Sequence, residues 1–235
     1  NIPFKLAFDA KEWDFSNLLG ALGGKAQRRD FDTRFTGRIA LSSTSGEFWK
    51  SQGGIDIEKL SVRKGTAQMT NPKPILITFD GGPVTIRSFK LEGDGTDLSV
   101  TGSRSATDNL NINVNGRIDL SLLSFLTPFF KDFSGELQIS SQIGGSVFKP
   151  DLLGSAYVKK GYIKLSEFPH PFEDINADIL FSQARAIINN AKARVGGGQG
   201  VANGTVTFQS LGNIPVDVHG ELIQATINVP QGLTT

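Results

Sequence analysis

Five glycines fall within the fifteen residues KARVGGGQGVANGTV at positions 192–206, a density that in other chains cradles a phosphate. A Walker-type loop needs G-x-x-x-x-G-K-[ST], in which the lysine reaches the terminal phosphates. Here no lysine follows a glycine, and Thr205 comes directly after Gly204. A dinucleotide fingerprint needs G-x-G-x-x-G opening a helix whose N-terminus meets the pyrophosphate. Counted from Gly196 or Gly198 the third glycine is missing, and the residues after Gly204 read as a strand. The run is therefore expected to turn the chain between AKARV and GTVTF.

Other reactive residue types are scattered. EGDGTDLSV at 92–100 partly matches a calcium-binding nonapeptide, but it begins on Glu92, has Ser99 at the apolar position and occurs once, where a calcium roll needs tandem copies. His170 and His219 are the only histidines, and neither has a second ligand at i+2 to i+4. No serine lies in G-x-S-x-G, and Asp94, Asp97, Glu173 and Asp174 sit in turn-like contexts where acids are ordinarily solvated. The pairs Arg63-Lys64 and Lys159-Lys160 could touch phosphates, yet in a chain of net charge +1 they read as solvated strand ends. Asn203-Gly204-Thr205 meets the glycosylation pattern, which matters only in a eukaryotic secretory setting. No enzymatic site, metal or cofactor is expected.

The 235 residues carry 24 basic and 23 acidic side chains and no cysteine. This excludes disulfide scaffolds, thiolate zinc sites and cysteine nucleophiles, and long-range attraction to nucleic acid is not indicated. There is no signal-peptide pattern, no apolar run long enough to span a bilayer, and no initiating methionine. The chain is expected to be a piece of a longer polypeptide.

Most of it alternates apolar and polar residues with period two, as a strand with one apolar face does. Phe4, Leu6, Phe8; Leu110, Ile112, Val114; and Val216, Val218, Leu222 are examples. Two stretches depart from that period. Phe15, Leu18, Leu19 and Leu22 have helical spacing, with Asp9 and Glu12 as a cap pair and Gly23 as a stop, and Leu122, Phe125, Leu126 and Phe129 repeat the spacing until Pro128 cuts it short. Two short amphipathic helices are expected, near residues 10–22 and 119–130.

A repeat of about a hundred residues also emerges. FTGRIALSS at 35–43 answers FSGELQISS at 133–141, and VRKGTAQMT at 62–70 answers VKKGYIKLS at 158–166, each read as a valine, two basic residues and a glycine turn. Residues 1–110 and 111–235 are expected to be two repeats of one continuous element. On alternation alone, their apolar faces could pack as a closed sandwich or line an open groove. An open groove would favour acyl chains, at roughly 0.8 kcal/mol per buried methylene.

The C-terminal half carries an ordered series: GSVFKPDLLGSAYVKKG, FEDINADILF, an Ile-rich strand, the GGGQG turn, ANGTV and the closing LIQATINVPQGL. In that order the series resembles the TamB family of the AsmA-like superfamily, well over 133–235 and more loosely before. The resemblance implies an all-β, elongated curled sheet, a β-taco or repeating β-groove with an apolar interior. It further implies a periplasmic bridge between the two membranes of a diderm bacterium, anchored in the inner membrane and carrying phospholipid acyl chains. A BamA-like outer-membrane protein would be a partner through regions outside this chain, and the family offers no catalytic residues to carry over.

The lipid-facing residues are then expected to be Phe35, Ile39, Leu41, Ile57, Leu110, Ile112, Val114, Leu137, Ile139, Ile175, Ile179 and Phe181. The alternative function is a scaffold or chaperone for outer-membrane β-barrel assembly that donates a strand edge. A carbohydrate-binding or hydrolytic domain would need an aromatic platform or an acid pair, and two Trp and two Tyr support it poorly.

Overall fold

The computed structural model describes residues 2–16, 31–122, 130–165, 168–209 and 213–227. They form one antiparallel sheet of 15 strands. Its first strands are β1 (Phe4–Trp13), β2 (Phe31–Ser43) and β3 (Gln52–Lys64), followed by four short ones, β4 (Ala67–Thr70), β5 (Ile75–Asp80), β6 (Val84–Ser88) and β7 (Lys90–Gly93). The longer strands resume with β8 (Thr96–Arg104), β9 (Leu110–Asp119), β10 (Phe130–Gly145), β11 (Pro150–Leu165), β12 (Phe172–Gln183), β13 (Arg185–Val195), β14 (Gly198–Thr207) and β15 (Val216–Ile223).

From β8 to β15 each strand hydrogen-bonds to the next in sequence. The expected turn is there: Val195 pairs with Gly198 across Gly196 and Gly197, at φ 54° and 81°. Two positive-φ residues are what a tight hairpin with the right-handed twist of its strands demands.

Between β3 and β8 the sheet forks. Gln52–Ile57 of β3 pairs with β5, while Ser61–Lys64 pairs with β4. On the far side β8 pairs with β7 at its start and with β6 at its end. Asn71 satisfies the backbone that the fork leaves bare. Its Oδ1 accepts the Leu60 N–H at 2.5 Å, and its Nδ2 donates to the carbonyls of Ile57 and Glu58 at 3.2 Å and of Lys73 at 3.0 Å. Over the fork Val62, Met69, Ile75, Leu91 and Leu122 bury one another, with Ile57, Leu60, Ile77 and Leu98 packed against them.

Residues directly opposite in antiparallel strands share a face, so the register fixes which side chains lie together. That phase survives several interruptions. At Glu12, Lys160, Asp174 and Asn190 the chain takes a left-handed residue at φ 50°, 50°, 51° and 48°, and next to each the register slips. Such a bulge inserts one residue into one strand. Alternation therefore restarts with apolar residues on their original side: Val158 and Gly161 oppose Ala177 and Ile175 of β12, across the extra residue at Lys159-Lys160.

Three of these bulges share a device. The displaced N–H donates to a side-chain oxygen of a neighbouring strand, Glu12 to Thr36 Oγ1 at 3.0 Å, Lys160 to Asn176 Oδ1 at 3.3 Å and Asn190 to Asn203 Oδ1 at 2.8 Å. Each donor that has left the ladder is thereby satisfied.

Several sequence expectations change. Residues 10–13 belong to β1, so the helix expected near 10–22 does not begin there, and Asp9 and Glu12 are strand residues rather than a cap pair. Ala10 pairs with Gly37 and Trp13 with Phe35, so pairing with β2 overrides the local helical spacing. Residues 17–22 of that expectation lie outside the described residues. The second helix is represented by a 3-10 turn over 120–122 and by strand at Phe130, and 123–129 lie outside the described residues. VRKG and VKKG are not equivalent turns. Gly65 turns β3 into β4, whereas Lys160-Gly161 is a bulge inside β11, because β10 and β12 continue to pair beyond it.

The left-handed bulge gives a direct test. A β-branched residue is strained at positive φ, and glycine is not. Lys160→Gly is expected to be at least as stable as the parent, and Lys160→Val to lose more than about 1 kcal/mol, read from urea unfolding midpoints. Equal stability of the two variants would mean that the bulge does not hold the phase of β11.

Candidate functional site

The twelve residues singled out by alternation lie on five strands. Phe35, Ile39 and Leu41 are on β2, Ile57 on β3, Leu110, Ile112 and Val114 on β9, Leu137 and Ile139 on β10, and Ile175, Ile179 and Phe181 on β12. Cross-strand pairing carries one face between them. Ile39 opposes Ile55, which opposes Ile77, and the row continues through Ile86 and Gly102 to Ile112 and Ile143. Nearby, Ile139 opposes Ala156, Ala156 opposes Ile179, and Ile179 opposes Ile188. All twelve side chains belong to a single apolar face.

The face is sealed most completely at the fork, and elsewhere only at isolated residues such as Ile118, Leu152 and Val195. Phe35 and Leu41 are buried, and Ile75 and Leu122 at the fork are wholly inaccessible. The other ten candidate residues are half-buried. Between them lie small residues. Ala156 sits between Ile139 and Ile179, Gly116 between Leu98 and Ile139, and Gly154 between Ser141 and Phe181. The result is a floor of glycine and buried alanine flanked by large side chains that remain partly open to water.

Two of those glycines cannot be replaced without moving backbone. Gly116 and Gly154 stand at φ 138° and 133°, and a Cβ would run into the carbonyl oxygens of Asp97 and Ser140 respectively. The strands approach too closely there for any side chain.

Charge is kept to the opposite face and the strand ends. Arg38 lies 3.5 Å from Asp9, and Arg34 and Arg63 lie 2.8 and 2.6 Å from the two oxygens of Asp32. Lys90 is held above its ordinary value, first by its hydrogen bond to Glu92 and then by the charge of Asp97. At the other extreme the Asp14 carboxyl is held below its ordinary value, chiefly because it accepts the Ser16 backbone N–H and then the Thr33 hydroxyl. Two charged residues that register places on the apolar face are at strand ends, Lys64 of β3 and Arg104 of β8; Arg104 is the one nearer the row described above. Arg104 pairs with Asp108 at 2.7 Å, donates to the Gly82 carbonyl at 2.6 Å and stacks 5.4 Å from the Trp49 ring.

The polar face has its own depression. An open cleft of about 830 Å³ is lined by a cross-strand row of Asp97, Arg117, Gln138, Tyr157, Asp178 and Asn189. Its charges alternate in sign, and Asp97 and Asp178 stand four strand spacings apart, about 19 Å along the sheet. They do not sit as neighbouring carboxylates of the kind that glycoside hydrolysis uses.

Sequence reasoning left some contributors out of the site. Ile77 and Ile86 are in strands of six and five residues, too short to display a period, and Leu98 is in the segment weighed only as a partial calcium-binding nonapeptide. Among the described residues, no group of three His, Asp or Glu side chains could hold a metal ion, and no helix is long and apolar enough to cross a membrane. No protein-family model, curated protein or solved structure matches this chain.

The difference between the sealed and unsealed parts of the face is measurable. Ile75→Ala should cost about 2–5 kcal/mol, as truncation in a closed core does. Ile139→Ala, whose methyls are already partly hydrated, should cost about 1 kcal/mol. Urea unfolding of both variants checks this, and equal losses would mean that the face is closed over Ile139 as well.

Proposed function

We propose that the chain is a lipid-shielding segment: its sheet curls lengthwise into an elongated groove, a β-taco, whose apolar interior solvates phospholipid acyl chains. The observation that carries this reading is the single apolar face kept in phase across the sheet, with ten of its twelve candidate residues only half-buried. Apolar surface left in water costs roughly 25 cal/mol per Å². An acyl chain laid over Ile112, Ile139 and Ile179 would remove it without needing any directional contact. Few polar anchors are then required, which agrees with a face whose side chains are Ile, Leu, Val and Phe over glycine and alanine.

The order of motifs that resembles the TamB family supports the setting. In this reading the chain belongs to a periplasmic conduit, anchored in the inner membrane through regions outside it, and residues 1–110 and 111–235 contribute successive lengths of one groove. A BamA-like protein would be met elsewhere on the whole molecule. The chain performs no chemistry on the lipid; its two roles are to shield acyl chains and to keep the path continuous.

Mass spectrometry of lipid co-purifying with the chain tests the reading. The comparison is a variant carrying Ile112→Asp, Ile139→Asp and Ile179→Asp, shown by circular dichroism to keep its strand content. Phospholipid held by the parent and lost from the variant is the expected result. Absence of lipid from both, or equal retention by both, would refute a groove that works through this face.

A further inference from the structure

The cleft on the polar face runs across the strands rather than along them. One wall is the row Asp97, Arg117, Gln138, Tyr157, Asp178 and Asn189, in which each residue stands directly opposite the next from β8 to β13. The other wall is a lower row, Ser140, Ser155 and Leu180, likewise in cross-strand register. Between the rows lie Ile139, Ala156 and Ile179, whose side chains go to the apolar face, so they give the cleft only a backbone floor. The walls are two residues apart, about 7 Å, and the first extends over five strand spacings, about 24 Å.

The sheet is bent beside this row. Lys160 on β11, Asp174 on β12 and Asn190 on β13 all fall just beyond it and on the same side, each at left-handed φ with a slip of register. A bulge bends its strand and re-aims the neighbouring side chains, and three in adjacent strands act along one line.

The walls carry carboxylate, carboxamide, guanidinium and hydroxyl groups, which suit pairs of neighbouring hydroxyls on a ligand. Among the described residues, the side chains of Arg117, Tyr157, Asp178 and Asn189 have no hydrogen bond or ion pair, so they are available. Composition offers only two Tyr, yet register puts one of them, Tyr157, in the middle of the row. Leu180, 48% exposed, adds a second apolar contact. A sugar needs both kinds of partner, since its edge is hydroxylated and its ring face is C–H. Two aspartates against one arginine leave the walls acidic, which disfavours nucleic acid and other polyanions. An extended peptide would add to a sheet edge instead of crossing a sheet face.

We propose that this cleft binds a neutral glycan strand laid across β8 to β13, with a ring at each strand spacing and roughly four or five rings in all. Tyr157 lies under a ring face, and Arg117, Gln138, Asp178 and Asn189 bond to hydroxyls. Asp97 and Asp178 are too far apart to act as a hydrolytic pair, so the strand is held and not cleaved. The site is on the face opposite the apolar row and does not rest on the lipid reading.

Isothermal titration calorimetry with cellohexaose and with its N-acetylated counterpart, chitohexaose, tests this. At least one of them should bind. Tyr157→Ala and Asp178→Ala, each shown by circular dichroism to keep its strand content, should weaken binding about tenfold or more. Their positions on different strands let either variant give an answer alone. Asn113→Ala, on the same face but outside the cleft, should leave binding unchanged. Both cleft variants should retain phospholipid as the parent does, and glycan binding by a parent that holds no phospholipid would support this site while refuting the groove. Three results overturn the proposal: neither hexasaccharide binding at millimolar concentration, binding that both cleft variants leave intact, or tighter binding of a heparin hexasaccharide that high salt abolishes.

Discussion

The whole sheet depends on phase. In an antiparallel ladder every side chain is committed to the face of its opposite number, and a slip of one residue moves a strand's entire apolar set into water. Over 15 strands an error made once would propagate to every later strand. The chain inserts residues repeatedly and still keeps its apolar side chains together, because each insertion is a bulge that consumes one polar residue. Lys160, Asp174 and Asn190 occupy left-handed backbone at these points without being glycine. Side-chain acceptors on adjoining strands take up two of the freed N–H groups, from Asn176 and Asn203.

This explains how much of the fold could be read before the structure was seen. Alternation in LNINVNGRID or ADILFSQ transfers directly to the sheet, since those segments contain no bulge between their apolar residues. The phase resets were also written in the chain, as polar doublets between apolar residues: Lys11-Glu12, Glu58-Lys59, Lys159-Lys160, Glu173-Asp174 and Asn189-Asn190. Read as charge, the basic pair at 159–160 looks like a strand end. Read as period, an apolar-polar-polar-apolar step marks a bulge in mid-strand. The fork could not be read at all. Which of β4 and β5 takes which half of β3 is decided by Asn71 and by a cluster assembled from residues up to sixty positions apart, Val62 to Leu122, and no local pattern encodes that choice.

Glycine in this protein serves two separate ends. Gly196 and Gly197 turn a hairpin, the role that a dense run suggests. Gly116 and Gly154 sit in mid-strand, where any Cβ would meet a neighbouring carbonyl. Isolated glycines inside alternating strands thus shape the apolar face more than the conspicuous run does. They bring strands together and leave low points beside Leu98, Ile139 and Phe181. A face built only from large residues would fill its own depressions and leave nothing for another apolar molecule to occupy.

Stability and openness are divided between the two parts of the sheet. The fork closes over Ile75 and Leu122, which are fully excluded from water, and it can supply the cooperative core that a single layer lacks. From β9 onward the strands are held by their ladders and by a floor of small residues; Ile118, Leu152 and Val195 are buried, but Ile112, Ile139, Ile179 and Phe181 stay half-buried. That part of the molecule has unrealised apolar burial in the folded state. Whatever covers it binds the folded chain and not the unfolded one, so its binding free energy adds to stability by mass action. An apolar ligand on that face would thus add to the stability of the folded sheet, whereas the core closed over Ile75 and Leu122 does not depend on one.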